Sequence, residues 1–273
     1  MAEAYAMTGD PALKAPAQNG VKVILACQNQ DAHPSAAPIK GGGSSAVVTG
    51  LGWDYTGPSN RTDTSLTGWN VMALKSALAA NLDVGQGMEG ARNWLDKVWK
   101  HCNPDWAKMD PYTAESFFPY SWFTDVEQVD YINPAAICDT MPRNVRGVNF
   151  SCAGMVCAVF LGHHAGDIML ESFANEVVKN QMPTKYPCNT YYLYYNSLGV
   201  FQVGGERWKK WNAVVRDLLV NAQRKDDGCF DGSWDYQGTV FVGHDIGRVL
   251  STVYCCLSLE VYYRYAQVAG GKK

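Results

Sequence analysis

Carboxylates in loops are the residues of this chain best suited to chemistry. Asp31, Asp54, Asp63, Asp231 and Asp235 stand in or beside turn-rich stretches, outside the apolar helical runs. A loop carboxyl can donate or accept a proton in a cleft, and two across one cleft would suit glycan cleavage. Cys229, Asp231 and the later His244-Asp245 make a Cys/Asp/His set that could close on zinc. Each of these residues also has a plain loop reading, and no metal is expected. Tyr191, Tyr194, Tyr195, Leu198 and Phe201 recur at helical spacing. Such a stripe of rings suits either the wall of an apolar-ligand pocket, where aromatic faces steady a cation, or an ordinary core. His163-His164 end a helical run, where an imidazolium complements the helix dipole. The chain carries no Gly-x-Ser-x-Gly, no P-loop, no Gly-x-Gly-x-x-Gly and no His-Glu-x-x-His, so no cofactor is expected.

The elements that must position these residues are helices. Met1 to Met7 followed by Thr8-Gly-Asp-Pro11 reads as the last turns of a helix and its stop. That helix starts without its first half, so a preceding segment, including any targeting sequence, is expected to be missing. Asp10 as N-cap and Pro11 at the first position predict a helix over 11–28. Residues 29–62 hold six Gly, four Ser and three Pro and read as a long loop. Asp63 or Thr64 caps the next helix, to about Asn81, with Trp69, Met72, Ala73, Ser76 and Ala80 on one face. Another runs from about Met88 to His101, with Trp94, Leu95, Val98 and Cys102 aligned. Residues 103–148 are aromatic-rich and aperiodic, and predict an ordered insert of loops and short helical pieces. Helices resume over 150–162, 167–180, 190–203, 206–223 and 247–267, and almost no strand signal appears.

One motif occurs twice. Near the C-terminus Gln223 is followed by an Asp-Gly turn and Gly232-Ser-Trp234-Asp-Tyr236; near the N-terminus Gln28 is followed by Gly52-Trp53-Asp54-Tyr55. In both, a helix ends, a turn follows, and a Trp precedes the next helix. A Trp at such a place buries a large area between hairpins, and a Gln can bond the backbone groups that helix ends leave free. Gln28, Trp53, Gln223, Gly232 and Trp234 are thus expected to hold structure. Antiparallel helical hairpins that repeat in this way stack on their neighbours to share a core.

The Gln and Gly-Ser-Trp repeat resembles the QW motif of squalene–hopene and oxidosqualene cyclases, and more broadly the prenyltransferase/squalene-oxidase repeat in a bacterial branch. The stretch Tyr191–Gln202 with Gly204-Gly-Glu-Arg-Trp208-Lys-Lys-Trp211-Asn212 is similar to segments of proteins with that repeat. The resemblance covers most of the chain outside 103–148. It implies an all-α fold, an α/α toroid of alternating inner and outer helices, partial or open because only four to five helical pairs are present. The chain is expected to be one such domain over 1–273. The resemblance also implies an isoprenoid or other lipid-like ligand in a central cavity. Class II cyclases begin by protonating an alkene or epoxide with an Asp-x-Asp-Asp motif. In register with that motif this chain has Asn60, Thr62 and Asp63, so only the last carboxylate is matched, and a Thr hydroxyl lacks the acidity of the central donor. Prenyltransferase β subunits share the toroid and bind zinc, but the spacing of Cys229, Asp231 and His244 does not match theirs.

The expectation is therefore a cyclase-like repeat protein without protonation-initiated cyclisation, serving as an apolar-ligand-binding or protein-assembly module. The alternatives are a cyclase or prenyltransferase-class enzyme with a non-standard site drawn from Asp63, Asp231 and Asp235, or a carbohydrate-active (α/α) barrel. A homo-oligomer or a partner at the open toroid edge is expected. The net charge of −3, without a basic run, excludes nucleic acid as a partner. No apolar run reaches the ~18 residues of a membrane span. Nine cysteines without a CxxC pair favour free thiols and a reducing compartment.

Overall fold

The computed structural model describes residues 1–29, 52–123, 128–130, 150–236 and 247–264. Among them are nine α-helices, two short 3-10 turns and three strands of three residues, so the fold is all-α. The chain divides into two compact units, one of residues 1–102 with 119–130, the other of 103–118 with 131–273.

In the first unit α1 spans Ala2–Thr8 and stops at Gly9, which takes the left-handed conformation at φ 67. Asp10 accepts a hydrogen bond from the Ala12 amide at 2.9 Å and starts α2, Pro11–Cys27. α3 spans Thr64–Ala79 and α4 Gly87–Cys102. α1 packs on α2 and α3, and α3 packs on α2 and α4. Gln18 ties α2 to the turn between α3 and α4: its amide donates to the Asp83 carbonyl and its oxygen accepts from the Asp83 N–H.

α4 buries Trp94, Leu95 and Val98, as its periodicity predicts, and Trp99 as well. α3 departs from expectation. It buries Thr67, Val71, Leu74 and Ala77, while Trp69 is exposed and Met72, Ala73 and Ser76 are half-buried. Apolar and small residues stand almost all round this helix, so spacing alone does not select a face. The strands are a second departure. β1 (Arg61–Asp63) pairs antiparallel with β2 (Ser121–Phe123), which pairs with β3 (Gln128–Asp130). Three residues are too few to leave an alternating pattern in the sequence.

In the second unit α5 (Ser151–Phe160), α7 (Thr190–Val203) and α9 (Gly247–Arg264) lie side by side, α7 in the middle. α6 (Ile168–Asn180) and α8 (Gly205–Ala222) pack on each other and on α7. The unit is thus two layers of alternating helices. Every residue of α7 from Thr190 to Gln202 is buried. α5 and α7 approach closely at Gly199, where a Cβ would collide with the Met155 side chain.

Residues 103–118 form a strap in this unit. The Asn103 side chain donates to the Phe117 carbonyl and accepts from the Phe117 N–H, both at 2.9 Å. The Ser116 N–H donates to Ser172 of α6, and Asn175 donates to the Pro111 and Ala114 carbonyls. The strap is ordered, with a 3-10 turn at Trp106–Lys108, as its aromatic content predicts. The rest of the predicted insert lies partly in β2 and β3 and otherwise outside the described residues, as does most of the Gly-rich loop.

The repeated motif is repeated in geometry, one copy in each unit. The Trp53 indole N–H donates to the Ile24 carbonyl at 2.7 Å, and the Trp234 indole N–H to the Leu219 carbonyl at 2.8 Å. Ile24 and Leu219 each stand four residues before the motif's Gln. The residue after each Gln returns a backbone bond to the residue before the Trp: Asn29 N–H to Gly52 O, Arg224 N–H to Ser233 O. Each Trp amide N–H then reaches a Thr of the following helix, Thr67 of α3 at 3.0 Å and Thr252 of α9 at 3.2 Å. The glutamines differ: Gln28 donates to Gly87 at the start of α4, Gln223 to Gly232 within its own loop. Both tryptophans are buried, so Trp53→Ala and Trp234→Ala are each expected to destabilise the protein by about 3–5 kcal/mol, read as a lower urea midpoint.

Candidate functional site

The acidic candidates are tested by what their oxygens already hold. Asp63 is fully buried at the end of β1 and is the N-cap of α3. Its Oδ1 accepts from the Ser65 and Leu66 amides at 2.9 and 3.1 Å and from the Ser65 hydroxyl. Its Oδ2 is 3.2 Å from Arg61. The same guanidinium reaches Asp54 at 2.5 Å, so Arg61 bridges the two carboxylates. Tyr120 lies under Arg61, with 5.4 Å from the guanidinium to the ring centre, and its hydroxyl is 3.3 Å from that of Tyr55. Burial, then bonding to Tyr55 and the charge of Asp63, pushes the Tyr120 hydroxyl well up, so it keeps its proton.

Asp63 is thus a helix cap paired with an arginine. Thr62 beside it is buried, and its hydroxyl accepts from Asn29 at 3.1 Å.

The C-terminal loop repeats the pattern in a more open place. Asp235 follows Trp234 as Asp54 follows Trp53, and it too binds arginine: Arg224 at 2.7 Å and Arg248 at 2.7 Å. The Arg224 hydrogen bond, outweighing burial, and the Arg248 contact hold its carboxyl below the usual range. Arg248 also covers the Phe230 ring at 4.4 Å. Asp231 accepts from the Asp226 N–H at 3.0 Å and closes the turn. Gly232, at φ 77, makes the left-handed step before Trp234. Asp31, His33, His244 and Asp245 lie outside the described residues, and among the described residues no group of three or more His, Cys, Asp or Glu could hold a metal.

The tyrosine stripe is buried ring against ring. Tyr191 stacks on Tyr195 at 4.6 Å, Tyr194 lies 5.8 Å from Tyr254 of α9, and Phe201 meets Trp208 edge-on at 5.2 Å. Tyr191, Tyr194, Tyr195, Leu198 and Phe201 are all buried. Burial pushes the Tyr191, Tyr192 and Tyr195 hydroxyls well above their ordinary value. A recess beside Tyr192, Leu193 and Trp211 has room for about one water molecule.

Two further features had no signal in single residues. His163 is buried and its Nδ1 is 2.9 Å from Asp167, the N-cap of α6, so it joins the end of α5 to the start of α6 rather than serving only the α5 dipole. His164 is exposed. Cys152, Cys157 and Cys255 are buried free thiols, and burial pushes Cys157 and Cys255 up to about 12, which leaves them unreactive.

α9 buries one face, Ser251, Cys255, Ser258 and Val261, and exposes another. Val249 is 71% exposed, Val253 46% and Tyr263 79%, with Cys256 half-buried between them. Val249, Val253 and Cys256 recur every three to four residues and form an apolar stripe; Glu260, exposed, stands next on that line, with Tyr263 beyond it. No helix among the described residues is long and apolar enough to cross a membrane.

No protein-family model, no curated protein and no solved structure matches this chain.

If Asp63 is a cap and ion-pair partner, removing it costs stability. Asp63→Ala is expected to lose about 2 kcal/mol, from a lost N-cap and an Arg61 left with Asp54 alone, whereas Asp63→Asn keeps the cap and loses less. Chemical denaturation of the two variants checks the order; equal midpoints for wild type and Asp63→Ala would refute the assignment.

Proposed function

We propose that this chain is a cyclase-like α/α repeat module that works by assembly with a second copy of itself, not by protonating a substrate. The observation that carries the reading is the exposed stripe of Val249, Val253 and Cys256 on α9. Helices of a stacked array normally meet a neighbour on each side. α7 does so, with α5 and α9 at its flanks, and α9 packs on α7 by one face while the stripe stays open to solvent. The stripe has the spacing of the helix surfaces that already pack within the unit, so a helix of a second copy extends the layer in the same manner. The alternation of two helical layers also supports the toroid expected from the repeat.

The catalytic alternatives draw less support. Asp63, Asp231 and Asp235 each spend their oxygens on caps, turns or arginines. The ligand-binding alternative relied on the Tyr191–Phe201 stripe, whose rings fill the space among themselves.

Self-association is tested with the double variant Val249→Asp, Val253→Asp. Both side chains are exposed, so the fold should persist with an unchanged circular dichroism spectrum. Burying two carboxylates in an apolar contact should weaken association by more than about tenfold in sedimentation across a concentration series. A wild-type protein that stays monomeric throughout, or a variant that associates equally, would overturn the reading.

A further inference from the structure

The outward face of α9 has the spacing of a helix-pairing seam. Val249, Val253, Cys256 and Glu260 follow one another at steps of four, three and four residues, the a/d pattern by which one helix lies along another. From Val249 to Glu260 the seam runs about 16 Å, three turns of helix. Ser251, Tyr254, Cys255, Ser258 and Val261 take the opposite face and are buried, Tyr254 against Tyr191 and Tyr194 of α7. One charge stands on the seam itself, the exposed Glu260 near its C-terminal end. At the other end, beside Val249, stand Arg248, held by Asp235, and the positive pole of the helix dipole. The seam is therefore apolar in its middle and opposite in charge at its two ends.

We infer that two copies pair through α9 in antiparallel, about a two-fold axis that crosses the helix between the levels of Val253 and Cys256. This pairing presupposes the self-assembly proposed for the chain and fixes its contact. Turning one helix about that axis sets Val253 of each copy opposite Cys256 of the other, and Val249 opposite Glu260. Glu260 then ends at the first turn of the other α9, where the positive pole of the helix and Arg248 receive its charge. A parallel pair in register would instead set Glu260 against Glu260 across an apolar seam, two like charges drawn out of water together.

A two-fold contact uses the same patch on both copies and is closed, so association stops at the dimer. If the α9 seam met a different face of the second copy, the contact would be head-to-tail, one seam would stay open at every step, and rings or chains larger than a dimer would form.

Disulfide trapping reads the pairing directly. Cys256 is native and Val253 is exposed, so Val253→Cys should fold as wild type does. Oxidised with copper–phenanthroline, this variant should give a covalent dimer, and peptide mass spectrometry should find position 253 joined to position 256. The two 253 positions of a pair are offset along the helices by about 4.5 Å, which takes them out of the facing geometry that a disulfide needs. Val253→Cys combined with Cys256→Ser should therefore cross-link at least about tenfold more slowly, which also shows that Cys27, Cys102 and Cys229 are not the source of the bond. Sedimentation of the unmodified protein should show monomer and dimer only. A protein that stays monomeric throughout would overturn both the pairing and the assembly it presupposes. Species larger than a dimer, a dimer that Val253→Cys fails to trap, or a double variant that cross-links as fast as Val253→Cys would overturn the pairing alone and leave assembly by another contact.

Discussion

An indole N–H given to the last turn of a preceding helix is the contact on which the repeat depends. A helix leaves its final carbonyls without internal partners, and a loop that follows must supply donors or leave them to water. Trp53 and Trp234 supply such a donor and bury a large ring at the same place. The backbone bond from Asn29 to Gly52, or from Arg224 to Ser233, then draws the returning chain against the helix end. The Trp amide, bound to Thr67 or Thr252, attaches the next helix. A helix end, a chain reversal and a helix start are thus fixed by three bonds around one side chain. In the first copy Gly52 is required, because a Cβ there would strike Thr62 and Thr67; in the second the corresponding residue is Ser233.

This frame also determines what the aspartates can do. The residue after each Trp is an Asp that emerges beside the loop's arginine, and in both copies the ion pair forms, Asp54 with Arg61 and Asp235 with Arg248. The arginines come from different places, β1 in one case and the first turn of α9 in the other. Similar charge pairing reached from different backbone positions indicates that the Asp needs neutralising wherever the frame puts it. A carboxylate that must be neutralised for the loop to close is poorly suited to act as a strong acid, because lending its proton to a substrate would also require losing its arginine.

Much of this was legible in the sequence, and the reasons differ by residue. Asp10, Pro11 and Gly9 announced the α1–α2 junction because caps are local chemistry. The two Gln-to-Trp loops were legible because a repeat states its own spacing. Trp69 misled because α3 lacks a polar face against which to judge its apolar one. The β1–β2–β3 sheet left no pattern, since strands of three residues borrow their order from the partner rather than from alternation. Asp63 was visible as a cap, but its bond to Arg61 across β1 was not, and that bond decides between a cap and an acid. The bonds of Lys179 and Asn180 to Glu115 span some sixty residues and have no signature in either segment.

The two layers of the second unit are held by different forces. α7 is buried all round and meets its neighbours through Tyr191 and Tyr194 against Tyr254 of α9 and through the Met155 side chain of α5 packed on Gly199. α6 buries Phe173 together with two carboxyls, Glu171 and Glu176. A carboxyl cannot be buried without donors, and Arg207 and the Gly166 amide supply them to Glu171 and the Asn180 side chain to Glu176. Truncating a ring therefore acts on the inner layer through volume, whereas pH and salt act on the outer layer through charge.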